Sequence, residues 1–205
     1  MKKIANYSIE HTVSKRGFKG IAGVDEVGYG PGAGPVVAAA VRIPFRHVET
    51  LLVPGRIRDS KKISTKKREI VYKEIIKVCD YGLGIVNNKV IDEINIREAT
   101  KLAMREAVNN LYFFDYLLVD GNIEPRIPDV INQNVIKGDS ISISIAAASI
   151  VAKVTRDRIM CDLHNIYPIY GWNKNKGYLT KAHIEALRKY KPSEFHRLSF
   201  RKVGG

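Results

Sequence analysis

Cysteine is scarce in this chain. Cys79 and Cys161 are the only two, and neither has a second Cys nearby at metal-ligand spacing. That excludes a disulfide framework and a zinc site and leaves two reduced, partly buried thiols. Long apolar runs are missing as well: none approaches the ~18–20 residues that span a bilayer. The first residues, Met1-Lys2-Lys3-Ile4-Ala5-Asn6, lack the apolar centre of a signal peptide, so a cytoplasmic protein with no membrane partner is expected. Nucleotide-cofactor signatures are absent too. Glycines at 28, 30, 32 and 34 do not match the dinucleotide fingerprint, and no Gly-Lys-Ser/Thr completes a P-loop. There is no internal repeat, low-complexity tract or clear linker.

Acidic residues are outnumbered: 34 Lys and Arg against 21 Asp and Glu give a net charge of +13 over 205 residues. Such an excess favours polyanionic partners through phosphate neutralisation and counterion release. The cations cluster at Lys61, Lys62, Lys66, Lys67 and Arg68, and again at Lys174, Lys176, Lys181, Arg188, Lys189 and Lys191. With 45% hydrophobic and 27% charged residues, the rest reads as one ordinary globular domain, for which a monomer is expected.

Residues 1–19 are polar and basic and read as a leading strand or loose arm ahead of a domain over 20–205. Short apolar runs predict strands at 21–24, 36–43, 81–86 and 116–119. Helical spacing predicts helices over 60–78, over 92–111 with Asp92 as N-cap, over 142–163 with a small-residue start, and over 180–190 capped by Thr180. The Pro-containing stretch 122–138 reads as a loop, and Trp172 as core. Strands interleaved with helices imply one α/β domain.

The chemistry concentrates in Gly23-Val24-Asp25-Glu26-Val27-Gly28-Tyr29-Gly30. Two adjacent carboxylates, the hard oxygen ligands that Mg²⁺ or Mn²⁺ takes, run into a loop whose glycines permit close backbone approach to a phosphate or sugar. Neighbours on a regular strand point to opposite faces. Both acids therefore reach one site only if the strand ends or bulges there. Asp120 closes an apolar strand, and Asp139 precedes a helix. Four carboxylates on three segments suit two divalent ions roughly 3.5–4 Å apart, the arrangement that clamps both oxygens in phosphodiester hydrolysis. Asp157 is the rival for the fourth position, but its neighbours Arg156 and Arg158 point to an ion pair.

These blocks resemble ribonuclease HII, the type 2 ribonucleases H. The resemblance runs from Gly20 to Phe200 and includes Gly34-Pro35-Val36-Val37-Ala38-Ala39, Asp59-Ser60-Lys61-Lys62-Ile63-Ser64, Val119-Asp120-Gly121, Lys137-Gly138-Asp139, the helix segment from Ala147 to Asp157, Lys176-Gly177-Tyr178-Leu179-Thr180 and His196-Arg197-Leu198-Ser199-Phe200. It implies a ribonuclease H-like fold: a five-stranded mixed sheet flanked by helices, with a helical C-terminal part. It implies cleavage of RNA in RNA–DNA hybrids and of duplex DNA 5′ to an embedded ribonucleotide, leaving 5′-phosphate and 3′-hydroxyl ends. By position, Asp25, Glu26, Asp120 and Asp139 take the catalytic metal-binding role with two Mg²⁺ or Mn²⁺ ions. Gly28, Tyr29 and Gly30 take the loop that meets the 2′-hydroxyl, Tyr178 the aromatic that stacks on the sugar, and Lys61 a phosphate contact.

One residue departs from the family pattern, which has arginine where this chain has Tyr29. A single hydroxyl replaces a bidentate cation, so weaker phosphate anchoring is expected, or anchoring by Arg58 or Lys176. Two other readings follow from the residues: a catalytically impaired binder of hybrids, suggested by Tyr29, and a different two-metal nuclease of the same architecture.

Overall fold

The computed structural model describes residues 5–51, 57 and 64–204. Along the chain come α1 (Ser8–Ser14), β1 (Ile21–Val27), β2 (Val36–Arg42), the short α2 (Val48–Leu51), α3 (Thr65–Val78), β3 (Asp80–Val86), α4 (Asn88–Asn109), β4 (Tyr116–Asp120), β5 (Ile131–Val135), α5 (Ile143–Ile166), α6 (Trp172–Asn175) and α7 (Lys181–Tyr190). The strands form one mixed sheet in the order β3-β2-β1-β4-β5. β1 runs antiparallel to β2, and β2 to β3, while β4 lies parallel to both β1 and β5.

Each face of the sheet carries a core. Val37, Ala39 and Val41 of β2 pack with Ala146, Ala147, Ile150 and Val151 of α5. Ala38, Ala40, Ala22 and Val24 pack on the other side with Ala99, Ala103 and Ala107 of α4. The small residues at the start of α5 bring it close to the sheet. A methyl group on Gly23 would strike the backbone of Ser144 and Ile145.

Four elements differ from the sequence reading. β5 lies in the stretch read as a loop; its residues Ile-Asn-Gln-Asn-Val are mostly polar because it is an edge strand covered on one side only. β1 does not stop before the acid pair but stays in register with β2 to the pairing of Val27 with Val37. α4 is capped by the Asn87 side chain, which accepts from the Val90 N–H at 3.0 Å. Asp92 instead accepts the backbone N–H groups of Leu198 and Ser199, tying the C-terminal segment to α4. Within α4 the chain kinks at Asn95, whose φ is 66°.

The leading segment is neither strand nor loose arm. α1 docks on the start of α5, where the buried Glu10 carboxylate accepts from the Ser142 hydroxyl at 2.6 Å, the Ser144 hydroxyl at 2.7 Å and the Ser144 N–H at 3.0 Å. Asn6 bonds both sides of the same junction, through Ile141 and Ile143. A buried carboxylate at a helix N-terminus satisfies donors that have no partner within the helix. Glu10→Ala is expected to cost roughly 2–3 kcal/mol, the range for losing hydrogen bonds to a charged group. Urea denaturation at pH 7 measures it, with Glu10→Gln losing less.

Candidate functional site

Asp25 stands near the end of β1 and Asp120 at the end of the neighbouring parallel strand β4. The last pairing of β1 with β4 joins Val24 to Val119, so the two acids follow side by side. Alternation along the strands then decides their faces. Asp25 pairs with Ala39, which belongs to the core beneath α5, and Asp120 has the parity of Leu118, which packs with Ile145 of α5. Asp139 sits in the single 3-10 turn Gly138–Ser140 that leads into α5. Three of the four predicted carboxylates therefore gather on the α5 side. Glu26 pairs with Ala38 and leaves the strand on the α4 side. β1 continues through the acid pair, so Asp25 and Glu26 start from opposite faces of the strand, yet the Glu26 charge still acts on Asp25.

The local bonding is specific. The Asp25 carboxylate accepts the Glu26 N–H at 2.8 Å and a hydrogen bond from Ser149 on α5. The Gly138 N–H donates to Asp120 Oδ1 at 2.6 Å, which fixes the turn carrying Asp139 against β4. Asp25 and Asp139 are buried. Burial, and then the charges of Glu26 and Asp120, hold the Asp25 carboxyl well above its ordinary range despite those hydrogen bonds. Among the described residues no group of three or more acids, His or Cys is arranged to hold a metal ion as it stands. The donor set is nonetheless all oxygen, and the mutual repulsion recorded at Asp25 is what a bound cation relieves. The four residues fit a hard divalent ion in chemistry.

Beside the acids lies the glycine loop, held by two buried arginines that the sequence reading did not single out. Arg197 donates from Nη2 to the Gly28 carbonyl at 2.7 Å, from Nη1 to Tyr29 at 3.2 Å and from Nε to Gly34 at 3.0 Å. Arg156 donates to Pro35 at 2.9 Å, Ala33 at 3.1 Å and Lys176 at 2.9 Å. Each guanidinium spends its fork on carbonyls, with no ion pair to a carboxylate among the described residues. Burial lowers Arg156 to about 10 and Arg197 to about 9. Gly28 has φ +99°, and a side chain there would meet the Arg156 guanidinium. The only signal for these residues in the sequence is a loop whose many carbonyls need donors that no strand supplies.

Tyr178 completes the group. Its ring is 48% exposed, and its Cε1 lies 3.8 Å from where a methyl on Gly30 would sit, so the ring faces the loop. Tyr29 is 41% exposed. Lys176, weighed as a substitute phosphate anchor, is turned inward: its ammonium donates to the Asn173 carbonyl at 2.7 Å and contacts Cys161 Sγ at 2.9 Å. Lys61 and Arg58 lie outside the described residues. Asp157 pairs with Lys153 at 2.6 Å and with Arg68 at 3.8 Å, an ion pair as expected but with other partners than its neighbours.

Comparison with known proteins settles the family. The family model described as Ribonuclease HII matches residues 22–203. The chain belongs to the ribonuclease HII family. These proteins are endoribonucleases, of the hydrolase class. The ribonuclease HII of Bacillus subtilis (strain 168) is 52% identical over 198 residues, 96% of this chain and 75% of that protein. The ribonuclease H2 of Pyrococcus horikoshii OT3 superposes with a TM-score of 0.77 at 27% identity, over 90% of this chain and 95% of that one. Bst-RNase HIII, solved in complex with Mn²⁺, superposes at 0.72 over 90% of this chain and 68% of that one; at 18% identity it speaks for the fold alone. The ribonuclease H-like architecture and the five-stranded mixed sheet expected of this family are those observed.

Behind Tyr178, the family's C-terminal segment carries a buried histidine pair. His183 Nδ1 bonds the Tyr178 carbonyl at 2.9 Å, and its Nε2 meets both Trp172 Nε1 at 3.2 Å and His196 Nε2 at 3.0 Å. The Ser193 N–H donates to His196 Nδ1 at 2.9 Å. Burial lowers both imidazoles, His196 to about 4. An unfolded histidine titrates near ~6.5, so between that pH and about 4 the unfolded chain binds more protons than the folded one. The pair's contribution to stability is complete above about pH 6.5 and is lost as the pH falls through that window. We expect the thermal midpoint to fall by roughly 5–10 °C over it. His196→Gln, which cannot titrate there, is expected to show a flatter slope by calorimetry.

Proposed function

We propose that this chain cleaves the RNA strand of RNA–DNA hybrids and incises duplex DNA 5′ to an embedded ribonucleotide, with Asp25, Asp120, Asp139 and Glu26 holding divalent ions. The observation that carries the reading is the placement of three carboxylates on one side of the sheet, next to a glycine loop and an exposed tyrosine. When bound, Mg²⁺ or Mn²⁺ supplies charge neutralisation at the scissile phosphate and a nucleophilic water at neutral pH. The Mn²⁺ of Bst-RNase HIII belongs to that protein; here the case rests on the all-oxygen donor set. Glu26, whose charge acts on Asp25, would join from the other face of β1 near the strand's end.

What the chain's own residues do is bind, orient and discriminate. With Gly28 and Tyr29 carbonyls drawn inward by Arg197, the loop is left to offer its remaining backbone groups to a 2′-hydroxyl, the group that separates RNA from DNA. Tyr178 would stack its ring on the sugar next to Gly30. Product ends of 5′-phosphate and 3′-hydroxyl follow from attack by water on the phosphorus with loss of the 3′ oxygen. The duplex itself has cations to meet: Arg188, Lys191, Arg201 and Lys202 surround a concavity of about 530 Å³ beside Val203, whose side chain abuts Gly32 of the loop.

Incubating the protein and Mg²⁺ or Mn²⁺ with a duplex carrying one ribonucleotide, a hybrid and an all-DNA control tests the proposal. Cutting of the first two alone supports it; no cutting with either ion favours an impaired binder, and cutting of the control favours a different nuclease. Tyr29 offers one hydroxyl where a guanidinium would grip phosphate bidentately. Tyr29→Arg is therefore expected to tighten substrate binding by about tenfold, the worth of ~1–2 kcal/mol in a charge-assisted hydrogen bond. Titration of a labelled duplex in Ca²⁺ reads it, and unchanged affinity refutes the assignment of Tyr29 to phosphate anchoring.

A further inference from the structure

The hydrogen bonds around His183 and His196 favour one assignment of protons. Trp172 Nε1–H can only donate, so His183 Nε2 accepts from it. A backbone carbonyl can only accept, so His183 Nδ1 carries the hydrogen that bonds Tyr178. The Ser193 N–H can only donate, so His196 Nδ1 accepts from it, with the Ser193 hydroxyl also 3.0 Å away; the ring proton then sits on Nε2, aimed at the His183 Nε2 lone pair that Trp172 shares. Both rings are neutral, and each is locked in a different tautomer: Nδ1–H for His183, Nε2–H for His196.

The two ends of this relay lie on opposite sides of the substrate-reading group. At one end is the Tyr178 carbonyl. At the other, His196 forms an antiparallel bridge with Ala33, flanked by Arg197 N–H to the Gly32 carbonyl at 2.9 Å and Gly34 N–H to the Phe195 carbonyl at 2.9 Å. Two other straps span the gap, Gly32 N–H to the Gly177 carbonyl at 3.0 Å and Arg156 to Lys176 at 2.9 Å. Both stop short of Tyr178. Its carbonyl is reached by the Thr180 N–H, a local turn contact, and by His183.

We propose that His183 and His196 are positioning residues for ribonucleotide recognition, a neutral imidazole–imidazole hydrogen bond that sets Tyr178 at a fixed distance from the glycine loop. This rests on the reading of Tyr178 and that loop as the sugar-reading elements. Neither histidine touches substrate; the pair acts through the backbone of Tyr178.

Amide side chains separate the ring nitrogens. His196→Gln keeps a donor at the place of Nε2 and preserves the link. His196→Asn keeps an acceptor for Ser193 at the place of Nδ1 and severs the link. His196→Asn is expected to lower kcat/KM on a single-ribonucleotide duplex about ten- to a hundredfold, the effect of an ångström-scale misplacement, while His196→Gln stays within a few-fold of wild type. In a Tyr178→Ala background the same His196→Asn change is expected to cost nothing further, since the link then has nothing to position. Equal loss in both backgrounds, or equal loss from Gln and Asn, overturns the proposal and leaves the role of Tyr178 standing. Tyr178→Ala with wild-type activity and selectivity overturns the reading of Tyr178 and the function assigned to the link together. Imidazole ¹⁵N spectra of the wild type report the tautomers independently of activity. Nδ1–H on His183 with Nε2–H on His196 supports the relay, and any other pair of tautomers refutes it.

Discussion

We expect Asp25→Asn to abolish cleavage and at the same time to make the metal-free protein harder to unfold. Both effects come from one carboxylate. Burial and the neighbouring charges of Glu26 and Asp120 hold its pKa above the unfolded value, so its favourable contribution is complete only below about pH 4 and is lost as the pH rises through the folded pKa. Holding a negative charge at this buried position is a net cost that a bound cation removes. Asparagine keeps the size and can still accept the Glu26 N–H, but carries no charge. We expect kcat to fall by about 10³-fold or more. In EDTA at pH 7 the melting temperature should rise by roughly 2–4 °C, corresponding to ~1 kcal/mol in a chain of this size. Fluorimetric melting with and without Mn²⁺ reads both states. An active variant, or a midpoint in EDTA at or below wild type, contradicts this account of Asp25.

Removing Arg197 is the second large effect. Its guanidinium bonds the carbonyls of Gly28, Tyr29 and Gly34 in a space fully closed to water. Arg197→Met fills much of the volume and leaves three carbonyls without a donor. Each buried acceptor left unmade costs about 1–3 kcal/mol. With some relaxation toward solvent, the sum should be about 3 kcal/mol in urea denaturation. The loop is then free to turn its peptide planes, so KM for a single-ribonucleotide duplex should rise more than kcat falls. Arg197→Lys does little better, since one ammonium cannot span carbonyls arranged for a planar fork. If Arg197→Met keeps wild-type KM, the loop does not depend on the arginine.

Where the sequence was legible, the reason is local. The strands carrying Asp25 and Asp120 are apolar runs buried on both faces, and Ser142 and Thr180 cap their helices as their types suggest. β5 escaped because an edge strand needs few apolar residues. The run of β1 past Asp25 and Glu26 escaped because it depends on how far the strand remains paired with β2, a tertiary fact. α1 had one readable cue, Ile9 and Val13 at helical spacing, but its anchor is Glu10 reaching residues more than 130 positions away. Arg156 and Arg197 look like surface cations in sequence. Their burial is intelligible only once the glycine loop, curled with its carbonyls inward, presents five acceptors to them.

Anomalous diffraction from crystals soaked in Mn²⁺ tests the central claim most directly, that the acids on the α5 side of the sheet form one ion centre. Peaks bridging Asp25, Asp120 and Asp139, with Glu26 swung in from the strand's far face, are the predicted result. Ordered Mn²⁺ elsewhere on the protein, with these carboxylates unligated, would contradict it.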